Sequence, residues 1–571
     1  MNLFYKVICD NNERFCGNKC TEISLIFLVV LGTLNYFLLQ TTGTKTVSDT
    51  SGSESTEVPL VVDRWTNNIS YRQLVLSSCI GIAQFWWHPY IHDLTKLLPF
   101  LFLHNVFSII VAYPLFYLEL ALGVVTKKGV LMCWDMAPVA RGIGFAMLIC
   151  AAFTTLAFGV VCAWSLAFTV HSMHTFLPWL HCAAEVTPAC ASRHRPLPEG
   201  SETPAQSFFY NFVLHLKRNG LSGGFGNVVT ELTIYYVISW ILIYFIACKR
   251  LYSYSKLVYF KDVLAYFVIV CCACGVTMLR GASRMFRESE WGIVFNNLQI
   301  WRDAIEFSFM QMVISQGTLV MLGSYCPKHK HKLTRTALCA FAVSRSCSTG
   351  SALILGAVHG ALTVDYDNKT NLTGGTSASF ILWSDFVTRI PGSQVWSLLI
   401  FFTIFVLALS STALLVQTIM STFTGRFIRK IRWAFLIFLC ILFCFIGIIT
   451  LCTQGGLYGL NFLMKWPVSK PRVVIGAIVA MVVSYFYGQS TFCEDIFFTV
   501  GEYPGIFIRV CWAVSPFILL SSFLSDVASW TQPDSGIGWA LVIITLLPVM
   551  TLMTLYLVFK FRVRNMISNE K

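Results

Sequence analysis

From Leu74 to Leu120 the chain reads LVLSSCIGIAQFWWHPY and then, past a short polar gap, LPFLFLHNVFSIIVAYPLFYLEL. Each run is long enough to cross a bilayer, whose apolar core takes about 20 residues of helix. Window hydropathy finds about twelve such runs, at roughly 71–93, 98–123, 141–172, 228–248, 259–279, 298–325, 336–360, 394–421, 431–452, 472–489, 508–528 and 537–560. A soluble enzyme would have to hide all of them in one core. The chain is 56% hydrophobic and 12% charged, against about 25% charged in a soluble domain, so this is an all-α membrane protein of many spans. In the first run Ser77, Ser78, Cys79 and Gly81 fall where the segment is deepest in lipid. Small residues there let the backbone leave helical geometry, and a helix broken in mid-membrane suits an ion or solute site.

The net charge of +13 is not a nucleic-acid signature, because the basic residues sit in short loops between spans. Lys127, Lys128 and Arg141 follow the second span, Lys249, Arg250 and Lys256 the fourth, and Lys328, Lys330, Lys332 and Arg335 the sixth. Arg426, Arg429, Lys430 and Arg432 follow the eighth, and Lys560, Arg562 and Arg564 the last. These loops read as cytoplasmic, as does the tail 561–571. The intervening loops read as exterior. They include a long segment at about 173–227 and the glycosylation sequons at Asn368 and Asn371. Cys182 and Cys190 share that exterior loop and are expected as a disulfide, the alternative being two free thiols. The other cysteines lie mostly inside apolar runs as small hydrophobes, with no metal-site spacing and no cofactor or nucleophile motif beside them. Residues 1–63 form a separate N-terminal region, with a short apolar segment at about 23–39 and a Ser/Thr-rich linker. The segment reads as an extra anchor or as a loosely packed tail.

Two motifs then carry a resemblance. G-x-x-x-x-W-x-x-P-Y stands at Gly81 to Tyr90, and P-L-F-x-L-E-x-A-L-G at Pro114 to Gly123. With RGIGFA from Arg141, LPWLHC from Leu177, WRDA from Trp301, IPGSQVWSLLIFF from Ile390 and TQGGLY from Thr453, the region 64–560 resembles a divergent member of the neurotransmitter:sodium symporter family. The resemblance implies two inverted five-helix repeats, with the first and sixth helices broken, plus two C-terminal helices. It also implies a plasma-membrane location.

Site residues follow from the same resemblance. One sodium site is retained, with carbonyls of Ser77, Ile80 and Leu407 and hydroxyls of Ser410 and Ser411, unless those hydroxyls only bond back to the preceding turn. A second is altered, at Cys79, Gln84, Gln311 and Ser344. The chloride positions hold His104, Phe307, Ser344 and Ser348, so chloride dependence is not expected. His104 is either a titratable dipole for that void or a hydrogen-bonded packing residue. The substrate pocket falls on Gly81, Thr154, Phe158, Met310, Val313, Gln316 and Leu415. Gly81 replaces the Asp of amine carriers, and Phe158 the Tyr that amino-acid carriers use on a carboxylate. Such a pocket fits a small neutral solute or is filled by its own side chains. The outer gate pair has become Trp87 and Met464, and the inner gate Asp falls on Gly425, with its Arg shifted to Arg64. Glu119 is expected to accept backbone hydrogen bonds near the first helix. The implied activity is sodium-coupled symport of a small neutral solute, with sodium as coupling ion and no other cofactor. The alternative is a transport-silent relative that serves as a receptor-like or trafficking subunit.

Overall fold

A chain in lipid must satisfy its own backbone groups, and helices do so within one segment. The computed structural model describes residues 68–569 except 175, 183–189, 191–201, 219, 221–223, 249–250, 328–331, 367–371, 373, 424–425 and 529–534. The N-terminal region, Asn368, Asn371, Arg64 and Gly425 therefore lie outside the described residues. In order the main helices are α1 (Asn68–Ser78), α2 (Ala83–Trp86), α3 (Leu94–Thr126), α4 (Gly142–His171) and α5 (Thr230–Cys248). Next come α6 (Leu251–Val276), α7 (Leu298–Gln311), α8 (Thr318–Ser324), α9 (Leu333–Asp365) and α10 (Ala378–Val387). The last are α11 (Ser393–Thr422), α12 (Arg426–Thr450), α13 (Gly456–Val500), α14 (Ile506–Ala528) and α15 (Ser535–Asn569).

Among the described residues ten helices are long and apolar enough to cross a membrane. Neither α1–α2 nor α7–α8 is counted there, because each is interrupted. Peripheral helices turn Ile234, Phe245, Phe267, Ile441, Phe517 and Leu555 outward. In water that surface would be a liability; in lipid it is the contact layer. Cys182 and Cys190 are disulfide-bonded.

The first interruption falls at Cys79–Ile82, where the small residues predicted it. Several of its freed backbone groups find partners. Gly81 N donates to Gln84 Oε1 at 2.9 Å and Ile82 N to Ser411 Oγ at 3.2 Å, while the Cys79 carbonyl accepts from Gln84 Nε2 at 2.7 Å. Beyond it the chain is pinned by two indoles: Trp86 Nε1 donates to the Thr376 carbonyl at 2.7 Å, and Trp383 Nε1 to the Phe85 carbonyl at 3.2 Å.

The second interruption, between α7 and α8, has only Gly317 as a breaker in its sequence. The backbone nonetheless turns left-handed at Val313 (φ 55°), Ser315 (φ 63°) and Gly317 (φ 75°). For a β-branched residue such as Val313 this conformation is strained, and strain of this kind collects where a protein holds a site open. Glu119 of α3 holds the turn by accepting from Ser315 N at 2.8 Å. The acid therefore braces the α7–α8 break, not the first helix as expected. The reason is that α3 lies directly against α8, with Gly123 and Gly323 at backbone contact.

One span begins earlier than its hydropathy suggests. The run expected at 472–489 is part of α13, which starts at Gly456 and bends through wide turns at Met464–Ser469 and Val482–Gly488. Lys465, Lys470 and Arg472 lower the window average there, yet Lys470 and Arg472 are buried, their charges met by groups on other helices.

Candidate functional site

The two interruptions face each other. Gln84 Nε2 crosses between them to the Gln311 carbonyl at 2.8 Å, and a cavity opens beside this bridge. Gly81, Phe158, Met310, Val313, Gln316 and Leu415 line it, and so do Ser77, Ser410 and Ser411 of the expected cation site. Thr154 does not line the cavity; its hydroxyl accepts from Arg472 Nη2 at 2.6 Å behind the wall. The free volume is about 30 Å³, room for one or two waters. A solute needs the wall to move, and Phe158, set edge-on to Trp86 with 6.2 Å between ring centres, is one of its larger parts.

At the positions expected to hold sodium, Ser411 Oγ accepts from Ile82 N at 3.2 Å. Ser410 Oγ donates to the Leu407 carbonyl at 3.0 Å, the back-bonded arrangement raised from sequence. The Ser77 carbonyl accepts from Ile80 N at 3.1 Å, and both it and the Ile80 carbonyl meet a third group. Lys261 of α6 reaches in, its Nζ 3.0 Å from Ser77 O, 2.5 Å from Ile80 O and 2.9 Å from Asp262 Oδ1. Asp262 also accepts from Ser77 Oγ at 2.8 Å and from Gln73 Nε2 at 2.9 Å. Lys261 is 2% exposed.

At the positions expected for an altered second sodium site, the oxygens meet nitrogen donors. Gln84 Nε2 donates to Cys79 O, Gln311 O and, at 3.3 Å, Ser344 Oγ. Arg345 fills the space behind: Nη2 donates to Gln311 Oε1 at 2.6 Å and Ser344 Oγ at 3.3 Å, and Nη1 to Ser108 Oγ at 2.9 Å and to His104 Nε2. His104 is thus a hydrogen-bonded packing residue, stacked on Phe100 and tilted against Phe307. Arg472 is a further buried cation, alongside Lys261, Arg345 and Lys470. Besides Thr154 it faces the Gln316 carboxamide oxygen, 3.1 Å from Nε and 2.9 Å from Nη1, and Glu119 acts on it electrostatically.

Residues 62–566 match the sodium:neurotransmitter symporter family, over nearly the whole described region. The chain belongs to this family. Among the symporter relatives, a sodium- and chloride-dependent glycine transporter 2 of Xenopus laevis is 24% identical over 89% of this chain and 71% of its own length. A creatine transporter of Torpedo marmorata is 26% identical over 85% of this chain and 84% of its own. These relatives are transporters, in accord with the exclusion of an enzyme.

Hydropathy alone did not reveal the buried cations of this symporter-family chain. Lys261, Arg345 and Arg472 each sit inside a segment counted as a span, and an ionisable residue within a span is itself a sign of function. Trp87 and Met464 do leave the outer gate positions uncharged, Trp87 lying edge-on to Phe307 at 6.1 Å. Beside Phe307 in the sequence, Glu306 pairs with Lys470, which also binds Asp526 Oδ2 at 2.6 Å.

Proposed function

We propose that this protein is a symporter that carries a small neutral solute across the plasma membrane by alternating access, with sodium as the coupling ion and the C-terminus in the cytoplasm. The observation that carries this reading is the cavity held between two interrupted helices and lined by Ser77, Ser410 and Ser411. Neutral hydroxyl and carbonyl oxygens suit a hard monovalent ion, and rocking of the broken helices against the scaffold would open the cavity to each side in turn. Glycine and creatine, the solutes named by the two relatives, are zwitterions with no net charge, and no acid is among the described residues that line this cavity. A solute of that class fits better than an amine. We assign one sodium rather than two, because the oxygens at Cys79, Gln311 and Ser344 accept from Gln84 and Arg345. Arg345 and Phe307 fill the region of the chloride positions, so uptake should not require chloride.

The test is uptake of a mixed panel of amino acids and creatine by cells expressing the chain, in sodium or choline medium, with a gluconate arm for chloride. Sodium-stimulated uptake that survives gluconate is expected. No uptake of any panel member in sodium, with the protein at the surface, would favour the transport-silent reading.

A further inference from the structure

An ammonium group has three N–H donors, and that of Lys261 spends them on Ser77 O, Ile80 O and Asp262 Oδ1. Two of those acceptors are the carbonyls assigned to sodium above, and the inference rests on that assignment. Ile80 O lacks a helical partner because α1 stops at Ser78, and Ser77 O, which takes Ile80 N at 3.1 Å, keeps a second lone pair for a cation. The break therefore makes a cation site, and the chain supplies a cation of its own to fill it. We infer that Lys261 is a tethered competitor for the sodium site, its ammonium and a sodium ion taking the Ser77 and Ile80 carbonyls alternately.

Two features support alternation over simple structural filling. Lys261, Ser410 and Ser411 line one cavity, and the ammonium holds the carbonyls an arriving ion would need, which two cations cannot share. Lysine also has somewhere to go. Its four-carbon stem is flexible, and Asp262 on the same helix keeps one of the three bonds when the carbonyls are surrendered. Asp262 meanwhile stays tied to α1 through Ser77 Oγ and Gln73 Nε2, so the site keeps its negative charge whichever cation is seated. In the sodium-free part of the cycle Lys261 thus holds the interrupted helix closed on α6, and sodium must displace it to load the carrier.

The experiment measures the sodium-dependent rise in unfolding temperature of the detergent-purified full chain, titrating sodium chloride against choline chloride at constant ionic strength. It is run on the wild type, on Lys261→Met, and on Lys261→Met with Asp262→Asn, which leaves no stranded acid. The half-saturating sodium concentration should fall at least about tenfold in both variants, because the tethered rival is gone. Equal half-saturation in wild type and variants, or no sodium response in a folded variant, overturns the proposal. Ser410→Ala with Ser411→Ala, added to Lys261→Met, should abolish the response. If it does not, sodium binds elsewhere and the site assignment falls, carrying the competition with it. Since transport is not the readout, failure of the carrier reading would show in the uptake assay alone.

Discussion

Valine at Gly123 or Gly323 should eliminate folded protein. A Cβ at Gly123 would stand 2.1 Å from the Val320 carbonyl oxygen and 2.9 Å from Gly323 Cα; one at Gly323 would stand 2.2 Å from the Leu120 carbonyl oxygen. These neighbours are backbone, which cannot swing aside as a side chain can. Relief requires α3 and α8 to separate, and with them Glu119 from Ser315 N and the strained turn it holds. A cost above about 4 kcal/mol is expected for such core overpacking, a large part of the roughly 5–15 kcal/mol that holds a typical domain together. Size-exclusion profiles of detergent-solubilised Gly123→Val and Gly323→Val should show aggregate or nothing. Alanine at either site should also be impaired, since the clash begins at Cβ. A monodisperse Gly123→Val peak of wild-type height would mean that the two helices are not in backbone contact.

Removing Lys470 should be nearly as damaging, for a different reason. Its ammonium pairs with Glu306 and with Asp526, and both of the carboxylates it binds are largely removed from water. Asp526 keeps Arg302 Nη1 at 2.8 Å when Lys470 is lost, but Glu306 is left without its cation. Breaking one partner of a buried pair costs about 3–5 kcal/mol, whereas replacing both by neutral groups can be close to neutral. Lys470→Met should therefore lower the unfolding temperature strongly, and Lys470→Met with Glu306→Gln should recover most of the loss. Absence of rescue in the double variant would show that the lysine acts by packing alone.

How much of this was legible in the sequence depended on whether a residue announced its own conformation. Ser77 to Gly81 did, because small residues in mid-span disfavour a continuous helix, and the break lies there. Val313 did not, being β-branched, and a lone Ser315 is a weak turn signal; the Glu119 bond to Ser315 N holds the turn, so the family resemblance pointed to that break. Glu119 itself was read as a brace but assigned to the wrong helix, since sequence spacing does not say which neighbour α3 meets. Gly81, Phe158, Met310, Val313, Gln316 and Leu415 line one cavity, while Thr154 lies behind its wall with Arg472. Lys261, Arg345 and Arg472 escaped because a hydropathy window absorbs one or two charges among many apolar neighbours. Their presence could be seen in the predicted spans, but their targets depend on helix packing. Lys261 finds the α1 carbonyls only because α6 lies beside the break.

The central claim is that oxygens at the first helix break, with those of α11, hold the transported cation. It is tested most directly by the sodium concentration that half-saturates sodium-stimulated solute uptake in wild type and in Ser410→Ala with Ser411→Ala. With two of its side-chain ligands gone, the site should need at least about tenfold more sodium, or lose the stimulation altogether. An unchanged half-saturating concentration at equal protein levels would contradict the account.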